Sequence, residues 1–458
     1  MLRFIGSVTG LALFMVGCGG GSDSSSTPPP PPAIVGTVSG LVGSGLTLAI
    51  CEPRQGGHGY TPGPQCGQPQ PVRGNGAFRL GNLYPTNYAG PAFVVVAQQP
   101  ASPPQNCQLP NAAVILPIVT DTSVMVSCMD YFEYVYVSDA ADNALRSFSV
   151  DETTGAAAVV GNPTTTGASP YAIAGVKISD KRFVFVGNGS SNDISAFDSD
   201  PATGVLTAVP GSPFPAGANP KAVAFDGSWN LLVANAGDDS VSAYAIDLTT
   251  GALTESSTAP TGKSPSSIVI DPNGSIAFIA NNGGSDDISA FYADLTPVAG
   301  SPFPAGGNPL SLALGAGGRF LYSANPDATS PGISGFSVDQ ISGALSPLIG
   351  SPFPLPVSHY IATDRTGAYL YVTSGANIVG YRIDATTGAL TPLPGFPVAA
   401  GANAYSITIG SANRTLYVAN DGAATISGFT LDASTGALTP MSGSPFPTGH
   451  HPNFIAAF

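Results

Sequence analysis

A unit of 44–49 residues recurs seven times over the last two thirds of the chain and constrains its fold more than any other feature. Each copy holds a short apolar run that ends in a polar residue, as in LYVAN. The seven terminating residues are Asp139, Asn188, Asn235, Asn281, Asn325, Ser374 and Asn420, spaced 49, 47, 46, 44, 49 and 46 residues apart. Strand-rich repeats with a period of about 40–50 residues are typical of β-propellers.

Each copy divides into four short strands separated by turn signals. In the third copy the predicted strands are 221–225, 230–235, 240–247 and 251–256. A glycine recurs at the turn between the third and fourth strands, where positive φ is needed. A GSPFP segment follows the outer strand in four copies. Proline removes a backbone donor and so ends strand pairing, and we expect the phenylalanine to pack between neighbouring sheets.

The repeat is divided unevenly between the two ends of the propeller segment. Seven inner-strand segments occur, the last being NFIAAF at 453–458, but the first copy near residue 131 has none before it. The C-terminal segment is therefore predicted to supply the innermost strand of the first blade, which removes an exposed sheet edge. The predicted fold is all-β, with a seven-bladed propeller over residues 131–458 closed by the C-terminal strand.

Composition excludes several functional classes. The formal net charge is −14, from 14 basic and 28 acidic residues, and no cluster of Lys and Arg exists to neutralise a phosphate backbone. Nucleic acid is therefore excluded as a partner. No haem-attachment motif is present, and the sequence predicts neither a cofactor nor a metal.

The N-terminus has the pattern of an export signal. Residues 1–17 form a predicted signal peptide, and Met15-Val16-Gly17-Cys18 resembles a bacterial lipoprotein box, in which the cysteine is lipidated. The alternative is an ordinary signal peptide with an incidental cysteine. Residues 18–32 (CGGGSDSSSTPPPPP) form a predicted flexible tether. The resemblance implies an exported cell-envelope protein held to a membrane by a lipid on Cys18.

Residues 33–128 are predicted to form a small β-sandwich, since their apolar segments alternate like antiparallel strands. This segment resembles an immunoglobulin-like module of bacterial secreted and surface proteins. The four cysteines left after Cys18 are an even number, which favours disulfides in an exported chain. The resemblance implies a Cys107–Cys128 pair and leaves Cys51 with Cys66. A metal site of Cys51, His58 and Cys66 is the alternative, although its spacing fits no tight pattern.

The propeller segment resembles the lactonase-type β-propeller family, which includes bacterial 6-phosphogluconolactonases, and the related YVTN repeats of surface proteins. The resemblance rests on the LYVAN-type strands, the DPNG turn at Asp271–Gly274 and the D-x-x-TG-x-L steps at 384–390 and 432–438. It implies a seven-bladed propeller and a lactone hydrolase. The arginine that follows the strand-ending asparagine in such relatives is absent from this chain.

Strand order gathers two polar rings on one face of the propeller. The predicted ligand-binding residues there are Asn188, Asn235, Asn281, Asn325, Asn420, Lys221 and Lys263. A second ring precedes the inner strands and comprises Ser169, Asn219, Ser264, Asn308, Ser358, Asn403 and His451. The alternative for Asn and Ser in both rings is turn capping. Acidic turns at Asp193, 238–239 and 286–287 could bind calcium, but turn chemistry explains them better.

Lactone hydrolysis needs a general base and a positive group for the developing oxyanion. The candidate bases are His359 and His451, and the resemblance places a histidine where His359 stands. Because the full hydrolytic set is not visible, the leading interpretation is a lipid-anchored binding module for a small molecule, a saccharide or an envelope protein. The alternatives are a sugar-lactone hydrolase and a purely structural repeat protein.

Overall fold

The computed structural model describes residues 34–39, 46–52, 65–66, 70–72, 76–80, 90–98, 105–108, 113–116, 122–130, 132–151, 157–178, 181–201, 203–227, 229–326, 332–356 and 358–458. The predicted signal peptide, the tether, Cys18 and His58 lie outside these residues. Contacts divide the chain into two units, residues 1–101 with 107–128, and residues 102–106 with 129–458. In the described ranges, no helix has the length and apolar character needed to cross a membrane.

The N-terminal unit contains two sheets. The strands of the first are, in spatial order, Gly76–Leu80, Ile34–Ser39, Thr122–Asp130 and Gln105–Gln108. The strands of the second are Gln65–Cys66, Thr47–Glu52, Gly90–Gln98 and Ala113–Leu116, with Gln70–Pro71 also paired to Thr47–Glu52. Cys51 and Cys66 stand opposite each other in register, and Cys107 and Cys128 lie on neighbouring strands. The disulfide pairing itself stays a prediction.

The propeller consists of seven antiparallel sheets, numbered here as blades 1 to 7 in chain order, each with four strand positions and, in blades 2, 5, 6 and 7, a short fifth strand. The innermost strands of blades 1 to 7 are Pro452–Ala457, Pro170–Ile178, Pro220–Phe225, Pro265–Ile270, Ser311–Gly315, Ile361–Thr363 and Ala404–Ile409. The second strands are Phe132–Asp139, Lys181–Asn188, Asn230–Asn235, Ile276–Asn281, Phe320–Asn325, Tyr369–Ser374 and Thr415–Asn420.

The third strands are similar in length from blade to blade, whereas the outer strands vary widely. The third strands are Ala144–Asp151, Asp193–Ser199, Ser240–Ile246, Asp287–Tyr292, Gly332–Val338, Asn377–Ile383 and Thr425–Leu431. The outer strands are Ala157–Thr165, Leu206–Ala208, Leu253–Pro260, Phe303–Pro304, Leu345–Pro347, Leu390–Pro392 and Leu438–Pro440. Further short strands at Phe214–Pro215, Phe353–Pro354, Val398–Ala399 and Phe446–Pro447 pair with the third strands of blades 2, 5, 6 and 7. Two 3-10 turns, Ala316–Gly318 and Asp421–Ala423, complete the described elements.

The ring is closed by the C-terminal strand. Pro452–Ala457 pairs antiparallel with Phe132–Asp139 and so completes blade 1 with the two ends of the propeller segment. Each innermost strand contacts those of both neighbouring blades, and the strand at 452–457 contacts those of blades 2 and 7. The predicted all-β fold, the seven blades and the C-terminal closure are confirmed. Closure therefore gives every blade a neighbouring blade on both sides.

The turn glycines and the GSPFP serines join adjacent elements in the same way from blade to blade. At Gly436 φ is 76°, and a Cβ there would lie 2.6 Å from the Tyr369 ring of blade 6. Only glycine meets both conditions without strain. Ser444 Oγ accepts a hydrogen bond of 3.0 Å from the backbone amide of Gly428, so the serine replaces a strand partner. Equivalent contacts recur at Ser212, Ser301 and Ser351.

Tyrosines of some second strands tie their blade to the next. Tyr322 donates to Gly388 O at 2.7 Å, and Tyr371 donates to Gly436 O at 2.8 Å. At the closure between blades 7 and 1 the acceptor is a side chain instead, because Tyr417 donates to the carboxylate of Glu133 at 3.0 Å. Glu133 is 1% exposed and therefore belongs to the structural seam of the ring.

Candidate functional site

Register aligns one residue at the start of each innermost strand, and we call these seven residues the axial ring. In blades 1 to 7 they are Asn453, Tyr171, Lys221, Ser266, Leu310, His359 and Tyr405. In blades 1, 2, 3, 4 and 7 the strand pairing is irregular at this position. Bulges of this kind re-aim a side chain relative to the sheet.

Backbone conformation explains why Asn and Ser recur in the second predicted polar ring, at the position two residues before each axial-ring residue. Ser169, Asn219, Ser264 and Asn403 have φ of 56°, 53°, 49° and 52°. Positive φ is tolerated best by short polar residues, which favours Asn and Ser here. Blade 6 departs from the predicted alignment: Ser358 directly precedes the axial-ring residue, is fully buried and donates to Asn325 O and Gly332 O.

Aromatic side chains from four blades meet at the centre of this face. The hydroxyl of Tyr171 lies 2.7 Å from that of Tyr405 and 3.3 Å from that of Tyr360. The Phe454 ring packs against Tyr171 at 5.6 Å and against Tyr360 at 5.4 Å, the latter edge to face. We call these four residues the axial aromatic cluster. Because they come from blades 2, 7, 6 and 1, their contacts place them at the propeller axis.

Burial holds two of the three phenols of this cluster in their protonated form. Burial raises the pKa of Tyr171 above its usual range, and the neighbouring Tyr405 adds to the effect. Burial also raises the pKa of Tyr360, which is 4% exposed. Neutral phenols both donate and accept hydrogen bonds. The cluster therefore offers hydroxyl groups and ring faces to a ligand.

The two predicted bases lie in different surroundings. His359 belongs to the axial ring, and its ring lies 6.1 Å from that of Tyr405. Its Nδ1 is buried and has no hydrogen-bond partner among the described residues. His451 instead lies on the rim, with its side chain 62% exposed and its Nδ1 3.0 Å from Asp421 Oδ1. No hydrogen bond or ring contact among those described joins the two histidines.

The two predicted lysines also differ. Lys221 is half-buried in the axial ring and forms no ion pair with a described residue. Lys263 is exposed and donates to Asp239 at 2.7 Å, and this hydrogen bond lowers the pKa of the Asp239 carboxyl. Only Lys221 is left with an uncompensated charge on the axial side.

The five predicted asparagines are fully buried at the ends of their strands. Each side-chain amide donates within its own blade, as when Asn188 bonds to Asp193 and to Ser195. The same arrangement is found at Asn235, Asn281, Asn325 and Asn420. These contacts hold the turn that leads into the third strand, as the turn-capping alternative predicts. Because the amide groups are buried, a ligand on this face cannot reach them.

Asp139, Asp142 and His450 are close enough together to hold a metal ion. The guanidinium of Arg146 lies 2.8 Å from Asp142 and 3.8 Å from Asp139, however. Asp139 also accepts backbone hydrogen bonds from Ala141, Asp142 and His450. A cation beside these carboxylates opposes a second cation. We therefore interpret the group as an ion-paired turn next to the closing strand.

Sequence reasoning missed the axial aromatic cluster. The available signal was an aromatic residue near the start of four of the seven inner segments, YAIAG, HYIAT, AYSIT and NFIAAF. Those segments are distant in sequence, and only the ring closure brings their aromatic residues together.

Comparison with known proteins agrees with this architecture. Residues 130–225 and 222–298 match the family model described as lactonase, 7-bladed beta-propeller. No curated protein sequence matches the chain. Among solved structures, a protein of Bacteroides fragilis described as a candidate 6-phosphogluconolactonase is 21% identical, with a TM-score of 0.60 over 72% of this chain and 98% of its own.

Two further structures are similar to a comparable degree. A candidate 6-phosphogluconolactonase of Bacteroides uniformis is 18% identical, with a TM-score of 0.60 over 72% of this chain and 100% of its own. The periplasmic gluconolactonase of Pseudomonas aeruginosa is 18% identical, with a TM-score of 0.56 over 71% of this chain and 98% of its own. Fold and sequence together identify a seven-bladed β-propeller whose first blades match the lactonase family model.

Proposed function

We propose that the propeller binds a neutral, hydroxylated ring compound, such as a saccharide, at the axial aromatic cluster. The carrying observation is the meeting of the Tyr171, Tyr360 and Tyr405 hydroxyls at the axis. Tyrosine supplies an apolar face for a sugar ring and a hydroxyl for its polar groups. Tyr171, Tyr405 and Phe454 are all partly exposed, so a ligand can reach them.

The residues around this cluster favour binding over catalysis. The axial ring contains one imidazole and one ammonium group but no carboxylate and no guanidinium. Hydrolysis of a lactone requires a positioned base and an oxyanion donor acting on the same carbonyl. The axial aromatic cluster itself carries no charged side chain, and its hydroxyl groups and ring faces suit recognition of a neutral ligand.

The test is a calorimetric screen of neutral monosaccharides, oligosaccharides and their lactones against the purified protein. Replacement of Tyr405 by alanine should weaken binding of the selected ligand by at least tenfold, about 1.4 kcal/mol. The exposed rim variant His451→Ala is the matched control and should bind normally. Saturable binding that survives Tyr405→Ala and Tyr171→Ala would place the ligand elsewhere and contradict the proposal.

A lactone hydrolase is the second candidate, favoured by the unpartnered Nδ1 of His359 and by Lys221 in the same ring. In this case His359 would accept the proton of the attacking water, and Lys221 would stabilise the oxyanion. The measurement is turnover of 6-phosphogluconolactone and of gluconolactone. Activity abolished by His359→Ala but kept by His451→Ala would establish the hydrolase. No turnover by the wild-type protein would leave the binding function.

We also propose that the protein is anchored in a bacterial cell envelope by a lipid on Cys18. The support is the sequence Met15-Val16-Gly17-Cys18, the tether that follows it and the four cysteines in the N-terminal unit. The variant Cys18→Ser should appear in the soluble fraction, while the wild-type protein should fractionate with membranes. Membrane association that persists in Cys18→Ser would refute the anchor.

A further inference from the structure

A second concave site lies on the propeller face opposite the axial ring. It is a cavity of about 790 Å³ between blades 5 and 6, and we call it the groove. Its polar lining comprises Arg319, Thr366, Arg382, Asp384, Thr386 and Thr391. These residues belong to the turns between first and second strands, to the end of the third strand of blade 6 with the turn that follows it, and, for Thr391, to the outer strand of that blade. The groove is therefore distinct from the site proposed above.

Arg319 is held in place by contacts to both blades. Its Nε donates to Ala316 O at 3.2 Å in blade 5, and its Nη2 donates to Ala385 O at 2.6 Å in blade 6. Both partners are neutral carbonyl groups, so the guanidinium keeps its full charge. A fixed guanidinium with remaining N–H donors is preorganised for a planar oxyanion.

Arg382 supplies the second positive charge. It forms no ion pair with a described residue, and its side chain is exposed at the groove. The nearby carboxylate of Asp384 is already used by its own turn, because its Oδ1 accepts from the amides of Thr386 and Thr387 at 2.9 Å and 2.8 Å. Thr386 and Thr391 add hydroxyl groups to the lining, whereas the Thr366 hydroxyl donates to Asp364. The groove thus presents two arginines and one carboxylate that caps a turn.

The equivalent positions of the other blade pairs show that this pairing is unusual. They are the residue six positions before the strand-ending marker in one blade and the residue at the end of the third strand in the next blade. From blades 1 and 2 to blades 7 and 1 these pairs are Glu133 and Asp198, Arg182 and Ala245, Trp229 and Tyr292, Ser275 and Ser337, Arg319 and Arg382, Ala368 and Thr430, and Arg414 and Ser149. Within these described positions, arginine occupies both places only between blades 5 and 6.

We propose that the groove between blades 5 and 6 binds an oxyanion, as a phosphate ester or a carboxylate of a small ligand, between Arg319 and Arg382. The chain carries a net charge of −14, so a cavity lined by two arginines and one carboxylate is a local exception to its acidic character. Arg319 contributes the oriented N–H donors, and Arg382 contributes the mobile second charge. Thr391 also lines the cavity and offers a hydroxyl group to a further oxygen of the ligand.

The experiment titrates 15N-labelled mature protein with inorganic phosphate and, separately, with acetate at constant ionic strength. The arginine side-chain N–H signals should shift saturably, and Arg382→Gln should weaken the binding by about tenfold, as expected for loss of one charge-assisted interaction. Saturation by phosphate alone assigns a phosphate ester, and comparable saturation by acetate assigns a carboxylate.

Arg414→Gln is the matched control because Arg414 occupies the position of Arg319 in blade 7, opposite Ser149 rather than a second arginine. It should leave the affinity unchanged. Non-saturable shifts, or equal weakening by Arg382→Gln and Arg414→Gln, would overturn the site. Glutamine keeps the length and polarity of these exposed side chains, and unchanged thermal unfolding of each variant excludes misfolding as the cause.

Discussion

Removal of the Glu133 carboxylate should open the seam that closes the propeller. Glu133 lies in blade 1 and is 1% exposed, and its Oε2 accepts hydrogen bonds from Thr415 at 2.7 Å and from Tyr417 at 3.0 Å in blade 7. Its Oε1 accepts the backbone amide of Ser411. The variant Glu133→Ala leaves all three donors without this acceptor, and the two hydroxyl donors among them are closed to solvent.

The magnitude follows from the burial of these donors. Each buried donor left unsatisfied costs about 1–3 kcal/mol, and the two hydroxyl donors to Oε2 are the fully buried ones, so we expect a loss of about 4 kcal/mol. The assay is urea unfolding of the mature protein followed by far-UV circular dichroism, with Glu255→Ala as control. Glu255 is exposed on an outer strand, and its replacement should change the free energy of unfolding by less than about 0.5 kcal/mol.

Glu133→Gln separates geometry from charge. The amide oxygen can still accept from Ser411, and the amide nitrogen can donate to the hydroxyls of Thr415 and Tyr417, which then act as acceptors. We expect this variant to retain most of the stability. A loss of less than about 1 kcal/mol in Glu133→Ala, within the range of ordinary surface substitutions, would refute the assignment of Glu133 as a closing contact.

Three further predictions concern the repeat itself and are measured by the same unfolding experiment. Gly436→Ala should cost about 3 kcal/mol because positive φ and contact with a neighbouring tyrosine ring both oppose a Cβ, whereas Gly395→Ala, with φ of 81° and no atom within 4 Å, should cost only about 1 kcal/mol. Ser444→Ala should cost about 1–2 kcal/mol, since a backbone amide of the third strand loses its acceptor; an unchanged midpoint would contradict this role. Burial raises the pKa of Tyr136 to about 12 and that of Tyr244 to about 12, so the folded state retains protons that the unfolded state releases near pH 10. Stability should therefore be intact below about pH 10 and fall as pH rises from 10 to 12, and the phenolate absorbance of these two tyrosines should appear together with unfolding rather than before it.

Much of the fold could be predicted because its signals are local. In the third blade the predicted strands 221–225, 230–235 and 240–247 correspond to Pro220–Phe225, Asn230–Asn235 and Ser240–Ile246. The outer strand was predicted at 251–256 but lies at Leu253–Pro260. An outer strand has only one neighbour, so its extent depends on pairing with the third strand more than on its own residues.

The candidate site was less accessible to sequence reasoning. The aligned asparagines stood out because they recur, yet their recurrence reflects a buried turn contact made once per blade. His359 was identified through a resemblance, and Tyr171 and Tyr405 drew no prediction although they belong to the same axial ring. Repetition in a propeller marks what every blade needs, whereas a site at the axis depends on the residues that differ between blades.

The sequence by itself determined the period, the number of blades and the closure, because apolar alternation, turn glycines and prolines act over a few residues and each blade repeats them. Tertiary structure alone decided which side chains share the axis, since Tyr171, Tyr360, Tyr405 and Phe454 come from four different blades. It also decided the pairing of Arg319 with Arg382 across a groove. Both arrangements depend on the rotation that closes the ring, and no local pattern encodes that rotation.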